Sequence, residues 1–342
     1  MINKINKPTI HDIARALKID SSTVSRALNN SPRVKEDTKA MILAKAEELG
    51  YQRNLLASNL RKNVTNTIGV VVPRISRHFF SSAIQGIEET AYQAGYNVII
   101  CQSLDLLDRE KKIVDGLVSN RVDGLLISVS METIDYKHLE VLRKSGVPLV
   151  FFDRHCHIPG YSCVIIDDFK GGFDATEHLI LKGCKNIVHF SGPLEVEIYK
   201  KRFEGYKAAL SKYRIPFKSE YVLSSRLMEK DGYECVEKLL EKGLVIDGIF
   251  SSNDLAAIGA MKYLKEHGIK TPEDVAIVGF SNEPVSRVIE PSITTIDQSG
   301  FKIGKIATDL LLKHIINKSI PKKGQTIVLE SKLIERDSSK RK

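Results

Sequence analysis

Short apolar, β-branched runs alternate with amphipathic helical stretches from Asn66 onward, and this alternation limits the possible folds more than any other feature. The apolar runs are TIGVVV, NVIIC, GLLIS, PLVFF, NIVHF, GIFSS and VAIVGF. Between or beside them, helices are predicted over about 79–94, 108–120, 135–145, 171–182, 199–212 and 253–267. Such alternation favours parallel sheets covered by helices, and this many units predict two doubly wound α/β lobes that enclose a ligand cleft.

The first 53 residues follow a purely helical pattern. Thr9 and Asp12 resemble a capping box at the start of TIHDIARAL, and after the connection KID either Asp20 or Ser21 caps a second helix. A third helix is predicted over about 35–49, ended by Gly50. Its inward side chains are predicted to be Met41, Ile42, Ala44, Ala46 and Leu49. The short turn between the first two helices predicts a helix-turn-helix head.

The second helix of the head leaves Ser21, Ser22, Ser25 and Arg26 on its outer face. Short hydroxyl side chains let a helix enter the DNA major groove, which is about 12 Å wide, and an arginine can bond two acceptors on a guanine edge. We therefore expect this helix to bind DNA. A packing or protein-binding bundle with incidental serines is the alternative.

The distribution of charge agrees with that expectation. Of the net charge of +9, residues 1–63 hold 12 Lys/Arg against 6 Asp/Glu, and the final SSKRK adds three positive charges. Residues 64–339 hold 36 of each sign and are neutral. A basic head beside a neutral core is expected when one module meets phosphate, although a solvated, lysine-rich face gives the same count.

A series of longer motifs follows in a fixed order from Thr9 to Asp337. They are TIHDIARAL, SSTVSRALN, LGYQRN, TIGVVVP, RVDGLLI, GVPLVFFDR, RFEGYKAAL, FSSNDLAAIGAMKYLKEHGIKTPEDVAIVGF, PSITTIDQ and LIERDS. By these motifs the sequence resembles the lactose repressor (galactose repressor) family of bacterial transcription regulators. The resemblance implies a DNA-binding head, a hinge helix, and a core similar to periplasmic sugar-binding proteins, whose lobes close around a ligand.

The resemblance divides the chain into a head at 1–53, a hinge helix or linker at 54–65, a two-lobed effector-binding and dimerisation domain at 66–337, and a basic tail at 338–342. It implies that Leu60, in the A-x-x-L pattern of the hinge, wedges into the minor groove and kinks the duplex; a plain linker is the alternative. The residues expected to contact DNA are Thr9, Ser21, Ser22, Thr23, Ser25, Arg26, Asn29 and Leu60.

Matching motifs also imply an effector site between the lobes. The expected contacts are Phe79, Phe80, Asp153, Arg202, Asn253 and Gln298. Arg202 together with Asp153 or Asn253 would hold hydroxyls or a carboxylate, while a phenylalanine stacks on an apolar ring face. Two other interpretations remain open: Asp254 caps the following helix, and Phe79 is simple core.

The sequence departs from the family at several effector positions. Ser281 in GFSNEP replaces the usual hydroxyl-binding aspartate. Val196, Ile198 and Leu227 stand where the purine-responsive branch has basic, hydroxyl and aromatic residues. A purine effector is therefore not expected, and a sugar or sugar acid remains the family's default.

Enzymatic and metal signatures are missing from the sequence. It contains no G-x-S-x-G, H-E-x-x-H, G-x-x-x-x-G-K-[ST] or G-x-G-x-x-G motif, so we expect neither an enzyme nor a cofactor. The segment RHCHIPGYSC, with His155, Cys156, His157 and Cys163, lacks the paired spacing of a structural zinc site and is interpreted as a loop. The five cysteines are scattered, which suits reduced thiols.

The remaining expectations concern the setting of the protein. The sequence has no apolar run near the ~18 residues of a membrane span and no signal-peptide pattern at its N-terminus, so a cytoplasmic protein without a membrane partner is expected. No leucine heptads follow Arg336, which favours a homodimer on a pseudo-palindromic operator. The rival hypothesis is a cytoplasmic sugar-binding or enzymatic protein with a vestigial head.

Overall fold

The computed structural model describes residues 8–51, 64–156, 158–317 and 323–341, and its internal contacts divide the chain into two units, 1–65 and 66–342. In the first unit, α1 spans Ile10–Leu17, α2 spans Ser21–Leu28 and α3 spans Glu36–Glu48. Three helices were predicted here, and all three are confirmed. Among the described residues, no helix is both long and apolar enough to cross a membrane.

The three helices of the head pack around Ile13, Val24 and Ile42, which are fully buried. Met41 and Ala44, which were predicted to face inward, are exposed. The reason is that α3 contacts its neighbours through a narrow stripe at the i, i+4 pair Ile42 and Ala46. Residues one or two positions from that stripe point away from the core.

The second unit alternates strands and helices. In chain order it contains β1 (Thr67–Val72), α4 (His78–Gln93), β2 (Asn97–Gln102), α5 (Leu107–Ser119), β3 (Gly124–Ile127), α6 (Glu140–Lys144), β4 (Leu149–Phe152), β5 (Ser162–Ile166), α7 (Asp168–Leu181), β6 (Ile187–Ser191), α8 (Glu197–Lys212), β7 (Val222–Ser224), α9 (Glu229–Glu241), β8 (Gly248–Ser251), α10 (Asp254–Glu266), β9 (Ala276–Phe280), β10 (Thr294–Asp297), α11 (Gly300–Ile316), β11 (Thr326–Leu329) and β12 (Lys332–Ile334).

These strands form two six-stranded sheets, one in each lobe. The first lobe has the order β11-β5-β4-β3-β1-β2, and all its pairs are parallel. The second has the order β12-β10-β9-β8-β6-β7, with an antiparallel edge pair, β10 and β12. The central strands β1, β3, β4, β6, β8 and β9 are almost wholly buried, as parallel strands covered on both faces are. The two doubly wound lobes predicted from the sequence are confirmed.

The chain crosses between the lobes three times, from β5 to α7, from β10 to α11 and from β11 to β12. None of β5, β10, β11 and β12 was predicted from the sequence, and neither were β7, α9 and α11. The missed strands are only three to five residues long, too short for a clear period. The helix predicted over 135–145 is instead a 3₁₀ turn at Lys137–Leu139 followed by α6.

The segment predicted as a basic tail packs on the second lobe over its described residues, 338–341. Ser338 and Ser339 are fully buried, and Ser338 donates a hydrogen bond to the Ile277 carbonyl of β9. The Arg341 guanidinium donates to the carbonyls of Pro272, Asp247 and Asp274, which precede β8 and β9. These carbonyls hold the arginine in place. Residues 338–341 are therefore packed as part of the second lobe.

Candidate DNA-binding helix and effector cleft

Helix α2 presents polar side chains on the face opposite to its buried residues, Val24 and Ala27. Ser22 and Arg26 are exposed, and Ser21, Thr23 and Ser25 are partly exposed. Asp20 caps the helix by accepting a 2.7 Å hydrogen bond from the Ser22 backbone, and hydrogen bonds from Ser22 lower the pKa of the Asp20 carboxyl. The cap fixes the start of a short helix whose outer face is available to a groove of DNA.

Two further residues predicted to contact DNA, Thr9 and Asn29, form hydrogen bonds within their own helices. Thr9 belongs to a capping box on α1, because Asp12 accepts hydrogen bonds from the Thr9 backbone N–H at 2.8 Å and from its hydroxyl at 2.7 Å. Asn29 is exposed at the end of α2, where its amide donates to the Ser25 carbonyl at 2.7 Å. Leu60, the predicted wedge, lies outside the described residues.

A cleft opens between the two lobes of residues 66–342. Many of its lining residues follow the carboxyl ends of strands β1, β4, β8, β9 and β10, where open α/β sheets bind ligands. The structure brings together in this cleft all six residues that the motifs singled out, Phe79, Phe80, Asp153, Arg202, Asn253 and Gln298.

Arg202 is the most firmly held of the six. Its Nε donates to Asp168 at 2.8 Å and its Nη1 donates to the Ser252 carbonyl at 2.9 Å. The guanidinium carbon lies 3.7 Å from the centre of the Phe280 ring. Its carboxylate partner is therefore Asp168, the first residue of α7, which the sequence did not single out. No described residue accepts a hydrogen bond from Nη2, so that nitrogen can serve a ligand.

Asp153 supplies an acceptor on the floor of the cleft. One of its oxygens accepts a hydrogen bond from the Ser128 hydroxyl at 3.2 Å. Burial raises the pKa of the Asp153 carboxyl, although the nearby Arg154 and Arg202 oppose the rise. The backbone at Asp153 is left-handed, with φ of 60°, a conformation that aspartate tolerates better than most residues. The remaining carboxyl oxygen suits a ligand hydroxyl, which donates a hydrogen bond to a buried acid in either protonation state.

The cap of α10 is Asn253 and not Asp254, which was one interpretation of the sequence. Asn253 is the cap of α10, because its side-chain oxygen accepts a 2.9 Å hydrogen bond from the Ala256 backbone. Asp254 is fully buried and accepts hydrogen bonds from the Thr295 hydroxyl and the Glu283 backbone. Burial raises the pKa of Asp254 to about 7. Asp254 therefore braces the loop after β9 and does not cap the helix.

Phe79 and Phe80 cover an apolar part of the cleft from the first turn of α4. Their rings meet edge to face with centroids 5.1 Å apart, and both also belong to the main buried apolar cluster, which includes residues of both lobes. Phe79 is thus both core and cleft wall. Gln298 follows β10 and is almost completely buried beside the crossing to α11. An apolar wall opposite buried polar groups suits a sugar ring, which has an apolar face and hydroxyl edges.

The structure adds a buried polar network that the sequence did not reveal. Arg154, next to Asp153, donates to Asp105 of the first lobe and, at 3.3 Å, to the Tyr199 hydroxyl of the second. Burial opposes ionisation of Asp105, but Arg154 outweighs it and lowers the pKa of the carboxyl. Arg74 lies 3.4 Å from the same carboxylate. The paired D-R in LVFFDR was the only sequence signal for Arg154.

A second pair of contacts joins the lobes at the mouth of the cleft. Arg77 donates to the Leu227 carbonyl at 3.2 Å, and the Glu283 carboxylate accepts from the His78 backbone at 3.2 and 3.3 Å. Burial raises the pKa of the Glu283 carboxyl, with His78 and Arg77 opposing the rise. Ser281, which replaces the family's aspartate, also lines the cleft. Glu283, two residues after Ser281, therefore supplies a carboxylate from the same loop.

Of the residues that distinguish this chain from the purine-responsive branch, Ile198 lines the cleft, while Val196 and Leu227 are buried in the apolar core of the second lobe.

Among the residues that the structure describes, no group of three His, Cys, Asp or Glu side chains could hold a metal ion. His157 of the RHCH segment lies outside them.

Comparisons with known proteins cover both units. A family model described as periplasmic binding proteins and sugar binding domain of LacI family matches residues 65–337, and one described as bacterial regulatory proteins, lacI family, matches residues 9–54. The catabolite control protein A of Priestia megaterium is 34% identical over 316 residues, which cover 91% of this chain and 94% of that protein. These matches agree with the order of motifs in the sequence.

Two further similarities extend over most of the chain. The HTH-type transcriptional repressor PurR of Haemophilus influenzae (strain PittEE) is 33% identical over 313 residues, or 91% of this chain and 92% of that protein. The crystal structure of the lac repressor dimer bound to operator and the anti-inducer ONPF superposes with a TM-score of 0.84 at 25% identity, covering 98% of this chain and 99% of the other. The fold and the sequence thus point to the same group of proteins.

Proposed function

The chain belongs to the LacI family of bacterial regulatory proteins, and on this premise we propose that it is a transcriptional repressor whose affinity for operator DNA is controlled by a small-molecule effector bound between its lobes. The observation that carries the proposal is the combination, in one chain, of a capped helix with an exposed polar face and a cleft lined by buried hydrogen-bonding groups. The first suits a DNA groove and the second suits a polar small molecule.

The proposed DNA contacts are Thr9, Ser21, Ser22, Thr23, Ser25, Arg26 and Asn29, with Leu60 added by the sequence motif. Arg26 is the proposed base-reading residue, because it is exposed in the last turn of α2, on the face opposite to the buried residues, and can offer two donors to guanine. Thr9 and Asn29 already bond to their own helices, so we assign them to the phosphate backbone. Phosphate contacts set the register of the helix, and base contacts select the sequence.

For the effector we propose a carbohydrate or a carbohydrate acid. The supporting observations are a buried acceptor at Asp153, a buried guanidinium at Arg202 and an apolar wall at Phe79 and Phe80. Buried charged groups that share hydrogen bonds with a ligand distinguish it from analogues that lack those groups. We do not propose a purine, although PurR is among the relatives, because Ile198 places an aliphatic side chain in the cleft.

We also propose that the protein acts as a homodimer. Strand β2 is the edge of the first lobe's sheet, and Ile99 and Ile100 on it are about 40% exposed. An apolar edge strand left in water is an aggregation hazard that proteins usually cover. A second copy would cover it and would present two heads to the two halves of a pseudo-palindromic site. As a DNA-binding regulator with no proposed membrane partner, the dimer would act in the cytoplasm.

The experiment that tests this function begins with selection of bound fragments from a random DNA pool by the full chain. We expect enrichment of a two-fold symmetric sequence, followed by a change in affinity when carbohydrates are added singly. Arg26→Ala should lose preference at one position of each half-site, whereas Arg15→Ala, which removes the same charge from α1, should keep it. Bound DNA without any preferred sequence would contradict the proposal and favour a binding protein with a vestigial head.

A further inference from the structure

At the mouth of the cleft, a carboxylate from the second lobe occupies the N-terminus of a helix from the first. We propose that Glu283 is a built-in occupant of an anion subsite formed by the start of α4 with Arg74 and Arg77, and that the effector carries an anionic group which takes its place. This inference rests on the proposed effector site and specifies the chemical class of its ligand. That class is an anionic carbohydrate, with a carboxylate or a phosphate as the charged group.

The position of Glu283 is one that favours an anion. Both oxygens of its carboxylate lie within 3.3 Å of the His78 backbone nitrogen, the first N–H of α4. The helix is 16 residues long, and its cap residue, Arg77, makes no side-chain capping bond. The first backbone N–H groups of a helix have no partner within it, and the helix dipole adds positive potential there. Carboxylates and phosphates bind readily at such positions.

Three guanidinium groups line this part of the cleft, those of Arg74, Arg77 and Arg154. The charge of Arg77 favours the Glu283 carboxylate, Arg74 and Arg154 share the carboxylate of Asp105, and Arg154 also interacts with Asp153. With Glu283 in place, the three arginines face three carboxylates. Once Glu283 leaves, only two carboxylates remain for them. An incoming anion would restore that balance, whereas a neutral sugar would not.

Two residues that line the cleft also have buried polar atoms without a hydrogen-bond partner among the described residues. Among the described residues, neither the Nε of Arg154 nor the hydroxyl of Ser252 has a hydrogen-bond partner, although both atoms are buried and both residues line the cleft. A buried donor without a partner costs roughly 1–3 kcal/mol. These two atoms lie on opposite lobes. They therefore fit a ligand that spans the cleft with polar groups at both ends.

Glu283 is held weakly enough to be displaced. Its side chain is only partly exposed, so its charge is poorly hydrated, and burial raises the pKa of the carboxyl despite the favourable partners. Release into water restores that hydration. The carboxylate side chain is bound to the first lobe through one backbone N–H, whereas the loop itself is fixed separately by the bond from the Glu283 backbone to Asp254. The side chain can thus leave without unfolding its loop.

The test measures binding of inorganic phosphate to the full chain by equilibrium dialysis at constant ionic strength and pH 7.5. Glu283→Gln keeps the size and the acceptor but removes the competing charge, so it should bind phosphate at least tenfold more tightly than the wild type. Arg77→Gln, added to Glu283→Gln, should cancel that gain. Arg287→Gln in the same background removes an exposed charge from the same loop and should leave the gain intact. Phosphate bound by the basic head is common to all variants and is removed by the comparison.

D-Gluconate, D-glucose 6-phosphate and D-glucose then identify the charged group. Tighter binding of either anionic compound by Glu283→Gln than by the wild type supports the inference and shows which anion the subsite prefers. An equal gain for D-glucose, or no gain of Glu283→Gln over the wild type for phosphate, would overturn it. The same variants are assayed on the selected operator. Normal operator recognition together with a failed phosphate result would leave the proposed regulator standing without the anion subsite.

Discussion

Replacing Arg202 by methionine should destabilise the core by an amount that increases with pH. The guanidinium is the buried cation that faces Asp168, which is itself almost completely buried, at 2.8 Å. Methionine has a similar length and fills the space above the Phe280 ring, so the change removes charge and hydrogen bonds more than volume. Asp168 is then left in the interior without its partner.

The magnitude follows from the burial of both partners. Removing one member of a buried, hydrogen-bonded ion pair typically costs about 3–5 kcal/mol, because the remaining charge is neither hydrated nor paired. Burial raises the pKa of Asp168 to about 6 even with Arg202 present, from an ordinary value of 3.8. The carboxylate is therefore already disfavoured in the folded state, by roughly 3 kcal/mol on the basis of 1.4 kcal/mol per pKa unit.

The sign of the pH dependence follows from that shift. A carboxyl whose folded pKa is raised contributes stability that is fully present below pH 4 and is lost as the pH rises through 6. Loss of Arg202 raises the pKa of Asp168 in the folded state further. The variant therefore continues to lose stability above pH 6, where the stability of the wild type no longer changes through this group. We expect Arg202→Met to be at least 1.4 kcal/mol more destabilising at pH 8 than at pH 5.

Urea unfolding of the full chain, followed by far-ultraviolet circular dichroism at both pH values, measures this difference. Asp168→Asn, added to Arg202→Met, is the matched control and should remove most of the pH dependence because it removes the carboxyl. Asp153 also interacts with Arg202, and we expect it to account for the smaller pH dependence that remains in the double variant. Equal destabilisation at pH 5 and pH 8 would refute the assignment of Asp168 as the dependent partner of Arg202.

Three other substitutions test the proposed sites. Arg26→Ala should cost about 1–3 kcal/mol per half-site on the selected operator and less on random DNA at the same salt concentration; equal losses would mean that Arg26 contacts only phosphate. Arg202→Lys keeps the charge near Asp168 but loses the planar fork, so effector affinity measured by calorimetry should decrease tenfold or more while effector-free operator affinity is retained. Ile100→Asp on strand β2 should shift sedimentation toward the monomer and weaken operator binding; an unchanged dimer would exclude β2 from the interface.

The head was predictable from sequence because its determinants are local. The capping box of Thr9 with Asp12 and the cap at Asp20 depend on residues within three positions of each other. Burial in α3 was less predictable, since Met41 and Ile42 are both apolar and only the packing of α1 and α2 decides which one is covered. The central strands of the core were predictable for a related reason: strands buried on both faces are apolar throughout.

The cleft was predictable only where a motif contained the residue. All six residues identified by motif line it, but Arg154, Asp105 and Glu283 became apparent only through contacts between distant segments. Arg154 and Asp105 are 49 positions apart, and Glu283 and the His78 nitrogen are 205 apart. The left-handed turns at Asp153 and Ser281, with φ of 60° and 103°, direct the residues that follow toward the cleft. No periodicity in the sequence reports such a turn.

Three contacts that join the two lobes each include a residue that lines the cleft, and this overlap gives the proposed effector a physical route to the lobe geometry. Arg77 to Leu227, His78 to Glu283 and Arg154 to Tyr199 each join one lobe to the other. A ligand that bonds to one of these side chains must replace or strengthen an inter-lobe contact. It therefore has unequal affinity for open and closed lobes, which is the condition for any effect on a second site. An effector held only by residues of one lobe, such as Arg202 and Ser252, would bind without changing the lobe angle.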